Sequence, residues 1–425
     1  MALRTALGWS SVQSALRLVL SFISIKVTAV YLGAAGLALV GQVSNFVSLS
    51  HGLVGNALQT GVTTMTAEHP DDPNLHARLW STALKMALFF SGVVALLIMA
   101  LAVPLSSWLL GTRAYWPVMA LAGPAIMLVA VSLILSGILN GQKNIRALSL
   151  SAIGANMVGA ALFIPLVYAF GIWGGLIGTV LSSAGSLCVV SWVFIRARVA
   201  RLTTLWQPWD ATIARKLMRY FPMLLAHSVA PTLALLMVRT TVITHLGLPA
   251  AGLWQAVSRV SDMYTLVLMT ALSLYLMSHL SSIRATHHFT RELIKVTLQV
   301  VALTAVGATG IYLLRDWVVA LVFTHAFAPV RDLFGYQFLG DVFLMAGWPL
   351  RMALVIKLRT RWYIALELGA PLLRVGLTRV LLGVAGLQAA TLGYMLAYLL
   401  VDLLLLVALR DYLGPYIATM KGNPQ

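Results

Sequence analysis

Leu32-Gly33-Ala34-Ala35-Gly36-Leu37 and Leu246-Gly247-Leu248-Pro249-Ala250-Ala251-Gly252-Leu253 are the two stretches from which the architecture is read. Each is a glycine-bearing break between two long apolar runs, and the second follows the first by roughly 215 residues. Two further matches lie at a similar offset. Gly171-Ile172-Trp173-Gly174 recurs as Gly383-Val384-Ala385-Gly386, and the basic turn Lys143-Asn144-Ile145-Arg146 recurs as Arg359-Thr360-Arg361. Small residues are common in membrane helices, so one match would mean little, but several in corresponding places predict a duplicated unit.

Working outward from these breaks, apolar runs predict twelve helices, at about 5–32, 37–65, 78–109, 114–139, 145–170 and 174–200, then 215–245, 250–282, 289–314, 331–357, 361–382 and 388–412. Each run suits a hydrocarbon core about 30 Å thick. The expected fold is all-α: a polytopic membrane protein of about twelve transmembrane helices, in two pseudo-symmetric six-helix lobes around a central cavity. The lobes are residues 1–205 and 206–425. The one long connection, Arg201 to Ala214, carries Trp206, Pro208 and Trp209 and reads as an interfacial linker. An even number of helices per copy gives both copies the same orientation, as in transporters that rock two bundles about a central site.

Composition agrees. Apolar residues make up 60% of the 425, charged residues 10%, and mean hydropathy is +0.91, too little charge to cover a water-soluble chain of this length. The first run carries Arg17 and Lys26 and lacks a small-residue cleavage site, so it reads as a transmembrane helix rather than a signal peptide. Cys188 is the single cysteine, which excludes a disulfide framework and a cysteine metal cluster. The histidines show no metal-ligand spacing, and no cofactor is implied.

The net charge of +17 is mainly a topology signal. With the amino terminus inside, one set of loops and flanks holds Arg4, Arg78, Lys85, Lys143, Arg146, Arg196, Arg198, Arg201, Arg284, Lys357, Lys421 and others. The opposite set holds Arg113, Arg315 and Arg331. The positive-inside rule then places both termini in the cytoplasm and removes the argument for a nucleic-acid partner.

Ionisable groups within the spans are costly and therefore informative. The basic ones are Arg17, Lys26, Arg239, Arg259, Arg351, Arg374 and Arg379, and the acidic ones Asp262, Asp341, Glu367 and Asp402. The basic excess predicts a cavity that favours an anion. Ser10, Ser14, Arg17, Ser21, Ser24 and Thr28 share one helix face; close packing explains the hydroxyls but not the arginine. Lys26 falls on the opposite side of an ideal helix, so the helix bends or Lys26 snorkels outward. Arg239, near the outer end of the seventh helix, either faces the cavity or snorkels outward. On the eighth helix Gln255, Arg259 and Asp262 follow at i, i+4 and i+7, and Arg259 and Asp262 are spaced to pair. That pair is either structural or an anion-binding arginine governed by a carboxylate; a guanidinium suits phosphate because it donates in a planar fork. Glu367 and Arg374 share a face of the eleventh helix around Pro371, and Thr391, Tyr394, Tyr398 and Asp402 line the last one. These groups serve either ion coupling or packing.

One segment carries a family signature. Gly252-Leu253-Trp254-Gln255-Ala256-Val257-Ser258-Arg259-Val260-Ser261-Asp262 resembles the GIWQ-x-[VI]-S-x-[VI]-SD-x-Y segment of the Wzx polysaccharide flippases, a branch of the multidrug/oligosaccharidyl-lipid/polysaccharide exporter superfamily. Arg331-Asp332-Leu333-Phe334, Gln337, Gly340-Asp341-Val342 and Lys357 resemble another segment of the subgroup serving enterobacterial common antigen. Arg259 departs from the pattern, which has serine there, whereas Asp262 lies in the shared motif.

The resemblance implies a flippase, not an enzyme. It would move undecaprenyl-pyrophosphate-linked oligosaccharide, lipid III-like or an O-antigen repeat unit, to the periplasmic leaflet of the inner membrane by alternating access. Arg17, Lys26, Arg239 and Arg259 would hold the pyrophosphate, and Gln42, Asn45 and Gln255 would meet the sugars. Asp262, Asp341, Glu367 and Asp402 would couple to protons or sodium. The protein would function as a monomer in the bilayer, with polymerase and chain-length regulator proteins as pathway partners. The rivals are a drug/cation antiporter of the same superfamily, which calls for an acidic cavity, and a glycan polymerase or ligase, which calls for a large outward loop.

Overall fold

A computed structural model describes residues 2–197, 205–282, 286–357, 359–410 and 412. Arg198, Arg201, Arg284 and Lys421 of the basic set lie outside the described residues, with the start of the connector, and so do the side chains of Arg4 and Ser10. Among the described residues there is no strand.

The helices are α1 (Ala2–His51), α2 (Ala57–Glu68), α3 (Pro73–Ala100), α4 (Ala102–Leu110), α5 (Trp116–Gly141), α6 (Ile145–Arg196), α7 (Ala211–Ser282), α8 (Thr286–Leu313), α9 (Arg315–Val322), α10 (Phe334–Ile356), α11 (Thr360–Ala385) and α12 (Ala389–Ala408). A π-helical turn, Gly52–Asn56, joins α1 to α2, and 3-10 turns at His325–Leu333 and Gly386–Gln388 precede α10 and α12. The described residues contain eight stretches long and apolar enough to cross a membrane, not twelve separate ones. The reason is that α1, α6 and α7 each run through one non-helical glycine, at Gly33, Gly171 and Gly247, with no loop between their arms, and that only the 3-10 turn Gly386–Gln388 separates α11 from α12. Glycine alone tolerates these positive φ angles without strain.

Those glycines fix the repeat. Gly33 (φ 65°, ψ −167°) corresponds to Gly247 (φ 84°, ψ 170°), 214 positions later. Gly171 (φ 56°, ψ −130°) corresponds to Gly386 (φ 53°, ψ −131°), 215 positions later. The backbone therefore aligns Gly171 with Gly386, shifting the register expected from Gly383. A second irregularity is also copied: α3 gives way to α4 at Leu101 (φ −99°, ψ 14°), and α8 to α9 at Leu314 (φ −90°, ψ 9°).

The chain divides into two compact units, Met1–Leu236 and Met237–Gln425. Within the first, α3 packs on α5, α5 on α6 and α1 on α6. Helix starts are capped by side chains that accept from otherwise orphaned backbone N–H groups. Asp72 Oδ1 accepts from Leu75 N at 2.9 Å, Asn144 Oδ1 from Ala147 N at 3.1 Å, and Asp210 Oδ1 from Thr212 N at 2.9 Å. The connector is strapped to α3: Gln207 O accepts from Ser81 Oγ (2.7 Å) and Lys85 Nζ (2.6 Å), while Trp206 stays exposed.

In the second unit α8 packs on α10, and α10 and α11 both pack on α12. Phe289, Leu293, Val296 and Val300 recur at steps of four and three along α8, so one stripe meets Met345, Leu350 and Ala353 of α10 and Leu405 of α12. In lipid, burial of such side chains gains little by itself, and close packing supplies the association. Gly393 of α12 illustrates it: a Cβ there would lie 2.9 Å from the backbone N of Thr378 on α11. Large apolar side chains such as Val384 (91% exposed), Val380 (76%) and Leu313 (74%) clothe the outside, as a hydrocarbon solvent permits.

Candidate functional site

The second unit encloses a carboxylate. Asp341 on α10 is fully buried, and hydroxyls from α7 and α12 converge on it. Ser261 Oγ donates at 2.7 Å, Tyr264 Oη at 2.6 Å and Tyr394 Oη at 2.8 Å. Gln337, one turn before it, places Nε2 3.1 Å from Ser261 Oγ and 3.4 Å from Asp341 Oδ1. Among the described residues no Lys or Arg forms an ion pair with Asp341. Three short hydrogen bonds offset part of the cost of burying a carboxylate, but no fixed cation neutralises it. An arrangement of this kind can take up a proton or a small cation.

Tyr394 connects this group to an arginine cluster. The Arg374 guanidinium of α11 sits 4.4 Å from the Tyr394 ring centroid and 5.8 Å from that of Trp254. Arg239, 2% exposed, sits 5.5 Å from the same indole. Arg239 also donates through Nη2 to Gln255 Oε1, one α-helical arm to the next across the Gly247 break. Aromatic faces stabilise guanidinium groups that have left water. A chain of contacts thus runs from Gln255 through Arg239, Trp254, Arg374 and Tyr394 to Asp341.

The remaining candidates fall as follows. Arg17 and Lys26 of α1 are exposed, and Ser24 and Thr28 of the expected stripe turn their hydroxyls back onto Leu20 O and Ser24 O. Gln42 is fully buried, and Asn45 is half-buried with an unpartnered Nδ2. Arg259 is half-buried and Asp262 exposed, and among the described residues the ion pair expected between them is not formed. Glu367 is half-buried. Both Asp402 oxygens lack a hydrogen-bond partner; the carboxylate lies against Gly347 of α10, where a Cβ would fall on Oδ1, with Arg351 alongside. Arg351 itself donates to Leu344 O at 2.9 Å, and Arg379 Nε to Thr241 Oγ1 at 3.4 Å.

The structure joins Asp341 with Ser261, Tyr264, Gln337 and Tyr394, and Arg239 with Gln255, Trp254 and Arg374. The spacing of Gln337 and Asp341 at i, i+4 was a readable sign of the first group. Tyr264 and the role of Trp254 carried no such sign, because their partners come from other helices.

Comparison with known proteins adds four findings. Residues 32–332 match the model of a family described as polysaccharide biosynthesis protein. Over 399 residues the chain is 27% identical to the lipid III flippase of Escherichia coli (strain K12), a match covering 94% of this chain and 96% of that one. Its fold is similar to an inward-facing multidrug resistance MATE family transporter of the MOP superfamily (TM-score 0.75, 14% identity, 94% of this chain and 99% of that one). It is also similar to the lipid II flippase MurJ in an inward closed conformation (TM-score 0.73, 14% identity, 96% and 90%).

Proposed function

We propose that this chain, which belongs to the polysaccharide biosynthesis protein family, is a flippase that moves an undecaprenyl-pyrophosphate-linked oligosaccharide from the cytoplasmic to the periplasmic leaflet. The observation that carries this reading is the end-to-end likeness to a lipid III flippase. The fold alone does not choose between a flippase and a drug antiporter, since both are among its structural neighbours. The basic excess within the spans favours an anionic cargo, because a cation carrier gains nothing from Arg17, Lys26, Arg239 and Arg259.

Four of the eight apolar stretches are 42 to 57 residues long, more than twice a single crossing at about 20 residues. Each would cross twice, reversing at a glycine, for twelve crossings in the inner membrane with both termini cytoplasmic. The lobes, 1–205 and 206–425, would alternate access as a monomer, handing product to polymerase and chain-length regulator proteins. Arg17, Lys26 and Arg259 would attract the pyrophosphate, Arg239 would act through the field it sets up, and Gln42, Asn45 and Gln255 would serve the sugar side.

Asp341 is the leading coupling group, with Asp262, Glu367 and Asp402 as further carboxylates. A charged Asp341 accepts from Ser261, Tyr264 and Tyr394 together. Once it binds a proton it needs an acceptor of its own, so a hydroxyl turns its hydrogen away or the Gln337 amide, whose Oε1 has no partner, turns to accept. If loss of that hydrogen bond lets the Tyr394 ring shift, Arg374 loses its platform, and ion occupancy reaches the arginine cluster.

The test is reconstitution of the full chain in liposomes with undecaprenyl-pyrophosphate bearing a radiolabelled trisaccharide in both leaflets. A membrane-impermeant glycosidase should digest roughly half of the lipid without flippase and nearly all of it with wild type under a proton or sodium gradient. Digestion that stays near half under every gradient sinks the reading.

A further inference from the structure

The first unit contains a cavity of about 320 Å³ that the coupling chain leaves unused. It lies among α1, α5 and the two arms of α6, with His51, Ser132, Ser151, Asn156, Ser182 and Ser186 contributing its polar wall. Where the hydrogens of these groups point decides what the cavity can bind. Ser132 Oγ donates to Val129 O (2.9 Å), Ser151 Oγ to Ala147 O (2.8 Å), Ser182 Oγ to Gly178 O (2.6 Å) and Ser186 Oγ to Ser183 O (2.7 Å). Asn156 Nδ2 donates to Ala152 O at 2.8 Å. With those hydrogens turned onto the helix backbones, most of the wall presents oxygen lone pairs; the Ser132 and Ser186 hydroxyls also meet each other at 3.1 Å, and Ser136 keeps a hydroxyl free to donate.

His51 is a second, independent sign. Its Nε2 is buried and has no hydrogen-bond partner, an arrangement that costs free energy and that a small rotation of the ring toward the cavity would relieve. It stands at the start of the π-helical turn Gly52–Asn56, and π-turns inside α-helices recur at functional positions.

An acceptor-rich wall requires a ligand rich in donors. None of the lining residues is an Asp, Glu, Lys or Arg, so the wall offers no counter-charge to an ion. Val129, Leu133 and Val190 supply apolar surface between the hydroxyls. The volume is at the lower end of small-molecule sites, roughly 300–1,000 Å³, which suits one ring rather than a chain. A pyranose matches each requirement: several hydroxyl donors, no charge, and a C–H face for the apolar strip.

We propose that this cavity is a subsite for one neutral sugar ring of the lipid-linked glycan. The proposal rests on the flippase reading, and binding to it can be measured separately from flipping. Full-length protein in lipid nanodiscs is titrated with methyl glycosides of glucose, galactose, mannose and N-acetylglucosamine and followed by saturation-transfer NMR. Ser136→Leu and Ser183→Val fill the cavity from two different helices, and both are compared with wild type at matched thermal stability. The expected result is saturation transfer to at least one glycoside in wild type, weakened tenfold or more in whichever filled variant is stably folded. No transfer to any glycoside in wild type, or equal transfer in wild type and the folded variants, overturns the subsite. Glycoside binding by a preparation that fails to flip the lipid-linked trisaccharide leaves the subsite standing and removes the flippase reading; flipping without glycoside binding does the reverse.

Discussion

At the register fixed by Gly33 and Gly247, Arg239 of the second unit stands where the first has Ile25, Arg259 where it has Asn45, and Asp262 where it has Ser48. The register of Gly171 and Gly386 sets Arg374 opposite Gly159. The duplicated backbone thus carries two chemistries. The second half holds a guanidinium and carboxylate network built through aromatic rings, and the first holds hydroxyls, amides and a histidine with a buried Nε2. Backbone breaks at glycine recur in both copies, at positive φ angles that other residues rarely adopt. Side chains facing the interior were free to diverge, since each charged group needs only its own local partners.

The most direct way to break this contrast is to move a charge into the other copy. Ile25→Arg places a guanidinium at a buried position with no acceptor prepared for it, at a cost of about 3 kcal/mol or more. Membrane immunoblots should then show less than a tenth of the wild-type protein level, and normal levels would mean that the first unit also offers a charge-accepting network.

Next in size is Asp341→Asn, which keeps the shape of the group but not its charge. Gradient-driven flipping should fall at least tenfold, about 1.4 kcal/mol or more in barrier, while thermal stability changes modestly. Flipping that still follows the gradient would move the coupling role to Asp402, Asp262 or Glu367.

Gly171→Ala and Gly386→Ala test the feature the halves share. Both positions have matching angles in a region that side chains avoid, so each substitution should destabilise by about 1–3 kcal/mol, and by similar amounts. Thermal unfolding in detergent measures this, and very different losses would deny the structural equivalence. The smallest effect is expected from Arg78→Ala. Its ion pair with Asp210 is 3.4 Å long with Arg78 largely exposed, so it contributes at most about 1 kcal/mol.

The sequence made the helices legible because lipid demands long apolar runs, and made the breaks legible because only glycine and proline interrupt them so often. It located Asp341, Arg239 and Arg374 as charges out of place, but could not assign their partners. Arg259 and Asp262 looked paired by spacing, yet no ion pair forms between them, and Arg239 pairs with Gln255 instead. Spacing along one helix limits which groups can meet; the convergence of Tyr264, Gln337 and Tyr394 on one carboxylate depends on how three helices pack. The hydroxyl-lined cavity was equally hidden, since serines in a membrane helix look the same whether they face a neighbour or a void.

The loopless breaks at Gly33, Gly171 and Gly247 have a practical consequence for handling this protein. In the proposed twelve-crossing topology, two helical arms joined by a single residue would enter the bilayer together as a hairpin and would offer proteases and antibodies no slack at the bend. Epitope tags, labelling cysteines on added loops and split-protein junctions placed there would disturb a helix end. They belong instead in turns such as Pro70–Asp71 or Arg113–Ala114, where the chain already departs from helix.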